Sequence, residues 1–216
     1  MDHWRTHQRS QQGVAAVTTR LLVLASGNGS NLQAIIDACE TQVLQAQVIG
    51  VVSDNPNAYA LSRAAHHNIA SKVVDPANLN KHEFNAQLAS AVVEFHPDIV
   101  VLAGFMRLLT TNFLARVSQQ IINVHPALPG ELPGTGAIER AFAQFAAGER
   151  SQSGVMVHFV TDEGIDSGPV ICQDTVAFAP DDTLQTFSQR MHETEHRLLV
   201  DALLITIPQT QKATTP

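Results

Sequence analysis

From residue 21 to residue 207, short apolar runs alternate with segments whose apolar residues recur at helical spacing. The run at 21–25 is apolar at every position, and 48–52, 70–74, 99–103 and 121–124 read as further strands. A strand buried on both faces needs that pattern. Between them, 31–40 places Leu32, Ile35, Ile36 and Cys39 on one helical face, 59–67 is Ala-rich, and 82–95 carries Phe84, Leu88, Ala91, Val92 and Phe95 on one stripe. Pro97 ends that segment. A helix is expected over 137–147, strands over 155–160 and 170–178, and a long last helix capped by Asp182 or Thr183. Its stripe reads Leu184, Phe187, Met191, Leu198, Ala202 and Ile205. Strand–helix alternation of this length predicts an α/β fold, a doubly wound and mostly parallel sheet with helices on both faces. The run at 99–103 is the most apolar and belongs at the centre. Ligands of such sheets bind beyond the carboxyl ends of the strands, so those ends are where chemistry is sought.

The chain has 216 residues, 44% of them hydrophobic and 15% charged, enough apolar material for one core. Residues 1–19 are polar and aperiodic and read as a disordered extension; 20–207 read as one catalytic domain and 208–216 as a disordered tail. The formal net charge of -7 argues against nucleic acid as partner, because phosphate neutralisation needs clustered Lys and Arg. The longest apolar run, 99–106, is far short of the roughly 20 residues that span a bilayer, so no membrane association is expected. Cys39 and Cys172 form no CxxC pattern, and two reduced thiols fit a cytoplasmic protein.

The first expected strand leads into Ser26-Gly27-Asn28-Gly29-Ser30-Asn31 and then a helix. Strand, glycine turn and helix aim backbone N–H groups at an anion. No lysine completes a P-loop, and Leu32 stands where the dinucleotide fingerprint has its third glycine. A monophosphate therefore fits better than a pyrophosphate. The plain alternative is a tight turn with Ser30 or Asn31 capping the helix.

Asn123-Val124-His125-Pro126 ends another strand. Alternate side chains share a face, so Asn123 and His125 point together at the carboxyl rim. An amide donor beside an imidazole can stabilise an oxyanion and move a proton. The loop after residue 160 supplies Asp162, Glu163 and Asp166 as candidate partners of His125, and a carboxylate beside an imidazole raises its pKa. His125, His158 and Asp166 could also be drawn as a metal site, but their spacing does not support one. Arg107 follows the central strand, again at the rim.

Five ordered blocks, SGNGSNLQAIIDAC (26–39), VVLAGFMRLL (100–109), NVHPAL (123–128), VMVHFVTDEGIDSGPVI (155–171) and TEH (194–196), resemble the phosphoribosylglycinamide formyltransferase family of purine biosynthesis over roughly residues 20–207. The resemblance implies transfer of a formyl group from 10-formyltetrahydrofolate, as co-substrate, to the amine of glycinamide ribonucleotide. It implies Asn123, His125 and Asp166 as catalytic residues, with no metal. Gly29, Ser30 and Asn31 would hold the ribonucleotide phosphate, and Glu195 would contact its glycinamide part with His192 nearby. Met106, Arg107, Leu108 and Leu109, with Asn123 and the loop Thr161, Asp162, Glu163, Gly164, Ile165 and Asp166, would line the folate pocket. Lys81 falls where the family often has an arginine facing the folate tail. Asn123 and a protonated His125 would stabilise the tetrahedral oxyanion, with Asp166 raising the His125 pKa. Partners would be small molecules, and the protein a monomer or weak homodimer.

Three departures stand out. His125-Pro126 is followed by Ala127-Leu128-Pro129-Gly130, where many members read Ser-Leu-Leu-Pro. The acidic loop is one residue longer around Gly164, and Lys81 lacks the bidentate fork of arginine. Formyltetrahydrofolate hydrolase and methionyl-tRNA formyltransferase share the catalytic residues, but each carries a further domain. A non-catalytic nucleotide-binding module is the reading from another class, and the joint presence of Asn123, His125 and Asp166 argues against it.

Overall fold

Leu21, Val23 and Ala25 are packed into one apolar cluster and Leu22 and Leu24 into another, which sets the plan of the molecule. A strand whose alternate side chains enter two separate cores must have helices on both of its faces. The computed structural model describes residues 18–214. The N-terminal extension therefore falls almost wholly outside the described residues, and Thr19 already belongs to the first strand.

The strands are β1 (Thr19–Leu24), β2 (Ala46–Ser53), β3 (Ser71–Val73), β4 (Ile99–Leu102), β5 (Gln120–His125), β6 (Gln152–Phe159) and β7 (Val170–Ala177). The helices are α1 (Ser30–Glu40), α2 (Tyr59–His66), α3 (Lys81–Glu94), α4 (Thr111–Arg116), α5 (Ala137–Ala146) and α6 (Leu184–Thr214). The seven-stranded sheet has the order β3-β2-β1-β4-β5-β6-β7, with β4 at its centre as its apolarity predicts. Pairings from β3 across to β5 are parallel, and β5–β6 and β6–β7 are antiparallel. Strand order turns back between β1 and β4, so the loops after these two strands diverge to opposite faces and leave a crevice.

Three elements differ from the sequence reading. Helix α4 was not expected: six residues are too few to show periodicity, although Thr110 caps it by accepting from the Phe113 N–H. Helix α3 starts at Lys81 because Asn80 and Glu83 form a reciprocal capping box. Helix α6 does not stop at residue 207 but runs through Pro208 to Thr214, correcting the expected tail. Proline removes one backbone donor, and the last turns are tied down instead by Thr210 to Gln120 and Gln211 to Thr19, both at 3.1 Å. The buried stripe of α6 is also shifted: Leu184 and Ile205 are exposed, and Leu199, Leu203 and Ile207 are buried in their place.

Phe187 of α6 is fully buried and stacks on Phe178 at 4.1 Å between ring centres, with Phe142 of α5 alongside. This aromatic group locks α6 against the end of β7 and holds the α6 site residues over the crevice. Phe187→Ala is expected to destabilise the protein by roughly 3–5 kcal/mol, measured by chemical denaturation.

Candidate active site

The crevice between the β1 and β4 loops opens into a cleft of about 460 Å³ whose walls come from residues 26–31, 102–109, 123–126 and 134–138, the 162–166 loop and α6. Each wall follows a carboxyl end of a strand or faces one, as the strand reversal requires.

The first wall is the glycine loop. Gly29 is the N-cap of α1 with φ 74°, and no side chain caps the helix, so the alternative of a Ser or Asn cap is ruled out. A Cβ on Gly29 would stand 2.7 Å from the Ala60 Cβ, so the turn needs glycine for both its φ and its close contact with α2. Arg63 of α2 clamps the loop: Nε donates to Asn28 O at 2.9 Å, Nη2 to Asn28 Oδ1 at 3.0 Å, and Nη1 to Gln33 Oε1 at 3.1 Å. The loop thus presents helix N–H groups beside a guanidinium, a setting that favours an anion. Sequence reasoning missed Arg63, because nothing local marks a contact between positions 28 and 63.

Ser26 ties this wall to the next, its Oγ accepting from Met106 N at 2.8 Å. Met106 and Leu108 are 58% and 49% exposed, and Ile165 across the cleft is 46% exposed. Large apolar side chains this open at a cleft mouth suit a flat, largely apolar ligand. Leu109 is buried beneath them. Arg107 donates through Nε to Asp54 Oδ2 at 2.8 Å and lies over the Phe84 ring.

The 162–166 loop divides its carboxylates among different tasks. Asp162 accepts from Gly164 N at 2.7 Å, closing a local turn. Glu163 accepts from the Thr111 N–H at 2.5 Å, the Thr111 hydroxyl at 2.7 Å and Lys81 Nζ at 3.3 Å, pinning the loop to the starts of α4 and α3. Those bonds, the Thr111 backbone N–H first, hold the Glu163 carboxyl down at about 2. Neither Asp162 nor Glu163 reaches His125, so only Asp166 fills the expected partner role. Lys81 and Thr161 do not line the cleft; Lys81 is committed to Glu163.

Asp166 is the hub. Its Oδ2 lies 3.3 Å from His125 Nδ1 and accepts from Gly134 N at 2.8 Å. Its Oδ1 accepts from Asn123 Nδ2 at 3.1 Å and lies 3.7 Å from His158 Nε2. His158 Nδ1 faces its neighbour's carbonyl, Phe159 O, at 2.9 Å, so that nitrogen carries the proton and Nε2 accepts from Asn123 Nδ2 at 3.1 Å. Both amide protons of Asn123 are therefore engaged, one on each partner. His125, His158 and Asp166 do come together, but by hydrogen bonds and ion pairing, and among the described residues no cluster has the arrangement of a metal site.

His125 differs from expectation in charge. Its Nδ1 faces Asp166 and its Nε2 faces Leu132 O at 3.1 Å, and both oxygens favour a second proton. Burial opposes it and prevails, so the pKa lies below the usual 6.5 despite the upward pull of Asp166 and the Leu132 carbonyl. The expectation of a raised pKa is corrected: the site is drier than the sequence could reveal. For Asp166, burial pushes the carboxyl up, but the His158 ring, the Gly134 N–H and His125 outweigh it and hold it below the ordinary range.

Across the cleft, Glu195 of α6 is buried, with His192 Nε2 at 3.8 Å and the Asn31 side chain as hydrogen-bond partner. Burial pushes its carboxyl up to about 7. Gly29, Ser30, Asn31, His192 and Glu195 all line the cleft.

Two measurements follow. In an NMR titration His125 should have a midpoint below 6.5, and Asp166→Asn should lower it further by removing the largest upward pull. Glu195 is protonated in the folded protein where it would be ionised unfolded, so it costs stability above pH ~4.5, fully so above pH ~7. Glu195→Gln should therefore stabilise the protein at pH 8 by on the order of 3 kcal/mol, read as a higher melting temperature, with the gain fading by pH 4.

Comparison with known proteins identifies the family. The formyl transferase family model matches residues 19–203. The chain is 39% identical over 201 residues to a phosphoribosylglycinamide formyltransferase of Dictyostelium discoideum, covering 87% of this chain and 97% of the relative. It is 37% identical over 179 residues to the enzyme of the same name from Escherichia coli (strain K12), covering 82% of each. The crystal structure of phosphoribosylglycinamide formyltransferase from Bacillus halodurans superimposes with a TM-score of 0.80 at 34% identity, covering 86% of this chain and 93% of that one. On its fold, its site and these relatives, the chain belongs to the formyl transferase family.

Proposed function

We propose that the protein transfers a formyl group from 10-formyltetrahydrofolate to the amine of glycinamide ribonucleotide, in purine biosynthesis. The observation that carries this is Asp166 bonded to Asn123 and paired with His125, in a cleft lined also by an uncapped glycine loop and by exposed apolar side chains. A nucleotide monophosphate fits the loop, and a pterin-like ring fits the mouth formed by Met106, Leu108 and Ile165. Arg107, held by Asp54, lines the folate side with Met106 and Leu108, Lys81 serves the loop through Glu163, and Glu195 and His192 face the ribonucleotide.

The reaction needs a neutral amine, a stabilised oxyanion and a proton for the departing folate nitrogen. The amine lone pair attacks the formyl carbon, and the carbonyl pair moves onto oxygen. Neutral His125, poised below its ordinary pKa, donates through Nε2 to Leu132 O and takes the proton that the amine sheds at Nδ1, on its Asp166 side. The oxyanion adds negative charge beside Asp166 and tips the balance against burial, so the imidazolium persists. That imidazolium and one Asn123 N–H, turned from His158, stabilise the oxyanion. Collapse of the intermediate breaks the bond from carbon to the folate nitrogen, and the proton held at His125 goes to that nitrogen. Holding two reactants in one cleft supplies much of the rate.

The test is a formyl-transfer assay with and without glycinamide ribonucleotide. Turnover that requires the ribonucleotide and yields its formylated form is expected. Deformylation of the folate without any amine would identify a hydrolase instead. His125→Ala and Asp166→Asn should each lower kcat by about 100-fold or more while leaving the circular-dichroism spectrum unchanged. Wild-type turnover in either variant would remove the assignment.

A further inference from the structure

We propose that Arg140, on the first turns of α5, is a positioning residue for the transfer: its guanidinium fixes the 130–136 loop that holds His125 and Asp166. The inference rests on the transferase reading above.

The loop reaches both groups through its backbone. Leu132 O lies 3.1 Å from His125 Nε2, and Gly134 N donates to Asp166 Oδ2 at 2.8 Å. Arg140 folds back over the start of its own helix onto the same stretch. Its Nη2 donates to Leu132 O at 2.8 Å and to Pro133 O at 2.7 Å, and its Nε to Gly136 O at 3.3 Å. The Leu132 carbonyl is therefore shared between the guanidinium and the His125 ring. The residues that meet the site, 132 and 134, are interleaved with those that Arg140 holds.

The backbone needs that hold. Leu132 has φ 45°, a left-handed conformation that a non-glycine residue rarely adopts unless its surroundings impose it. Consecutive carbonyls in extended chain point in opposite directions; here those of Leu132 and Pro133 converge on one nitrogen. Two carbonyl oxygens brought together repel, and a cation between them removes the repulsion. Arginine suits this position because its planar fork serves several acceptors from one rigid group, which an ammonium cannot do. Without it, the loop is free to leave the left-handed turn. His125 Nε2 then loses its acceptor, and Asp166 its backbone donor. Arg140 makes none of these bonds to the glycine loop or the 104–109 segment, so the contacts made there stay in place, while the 134–136 stretch of the cleft wall shifts with the loop and the reacting geometry is lost.

The experiment compares kcat, both KM values and the melting temperature of Arg140→Ala with those of the wild-type protein. A fall in kcat of about 10- to 100-fold is expected, with each KM within about threefold and the melting temperature within about 4 °C. Arg140→Lys, which keeps the charge without the fork, should regain only part of the lost kcat. Arg140→Gln, which keeps one donor group, is read in the same way if the alanine form does not fold. Unchanged kcat overturns the inference, as does a loss of activity that tracks a lowered melting temperature or a raised KM. If the wild-type protein performs no transfer, the transferase reading fails and takes the inference with it. If the wild-type protein is active and Arg140→Ala matches it, the inference alone fails.

Discussion

A single carboxylate organises the functional end of this molecule. Asp166 joins β5, through Asn123 and His125, to the loop between β6 and β7 that carries it, and to the 130–136 loop through Gly134. These segments approach one another only because β6 returns antiparallel to β5 and sets His158 beside Asn123 in register. A half-buried carboxylate needs donors, and the hub supplies the Asn123 amide, the Gly134 N–H and the His125 ring. Charge satisfaction at one residue thus fixes the mutual placement of two loops that have little regular structure of their own.

Around that hub, dryness and charge are set against each other. His125 is held by two acceptors yet has its pKa lowered by burial, and Glu195 has its pKa raised by the same cause on the opposite wall. In the free protein both groups therefore carry less charge than they would in water. A ligand that brings charge into the cleft changes the outcome for each. Groups balanced in this way respond to a bound reactant with a proton transfer, whereas firmly ionised groups could only offer a fixed field.

Much of this was legible in the chain. The β1 and β4 runs, apolar at every position, announced strands buried on both faces, and the ends of β1, β4 and β5 were where the polar motifs stood. Asn123 and His125 were readable because a strand repeats every second residue and Pro126 stops it. Less legible was everything that depends on distance through space. Arg63 reaching Asn28, Glu163 reaching Thr111 and Arg140 reaching Leu132 join segments whose local sequence carries no mark of the contact. The sign of the His125 shift was misjudged for the same reason: the neighbouring carboxylate was visible in the sequence, and the depth of burial was not. Helix α6 ran past Pro208 because its end is secured by Thr19 and Gln120, residues near the other end of the chain and in β5.

The division of labour between core and rim explains why such a site can persist. Fully buried Leu21, Val23, Ile99, Val101 and Phe187 give the sheet and α6 a rigid frame. At the rim the chain tolerates features that a stability-driven sequence would remove: a helix start without a side-chain cap, left-handed Leu132 and Asp166, and buried Asn31 Oδ1 and Asp54 Oδ1 without a partner among the described residues. Each costs free energy, and each lies on or beside the cleft. Unmet polar atoms and an open helix terminus are what a ligand with a phosphate and several polar groups can satisfy. The local rules are broken where binding can repair them, and the apolar frame beneath is what lets the fold survive until it does.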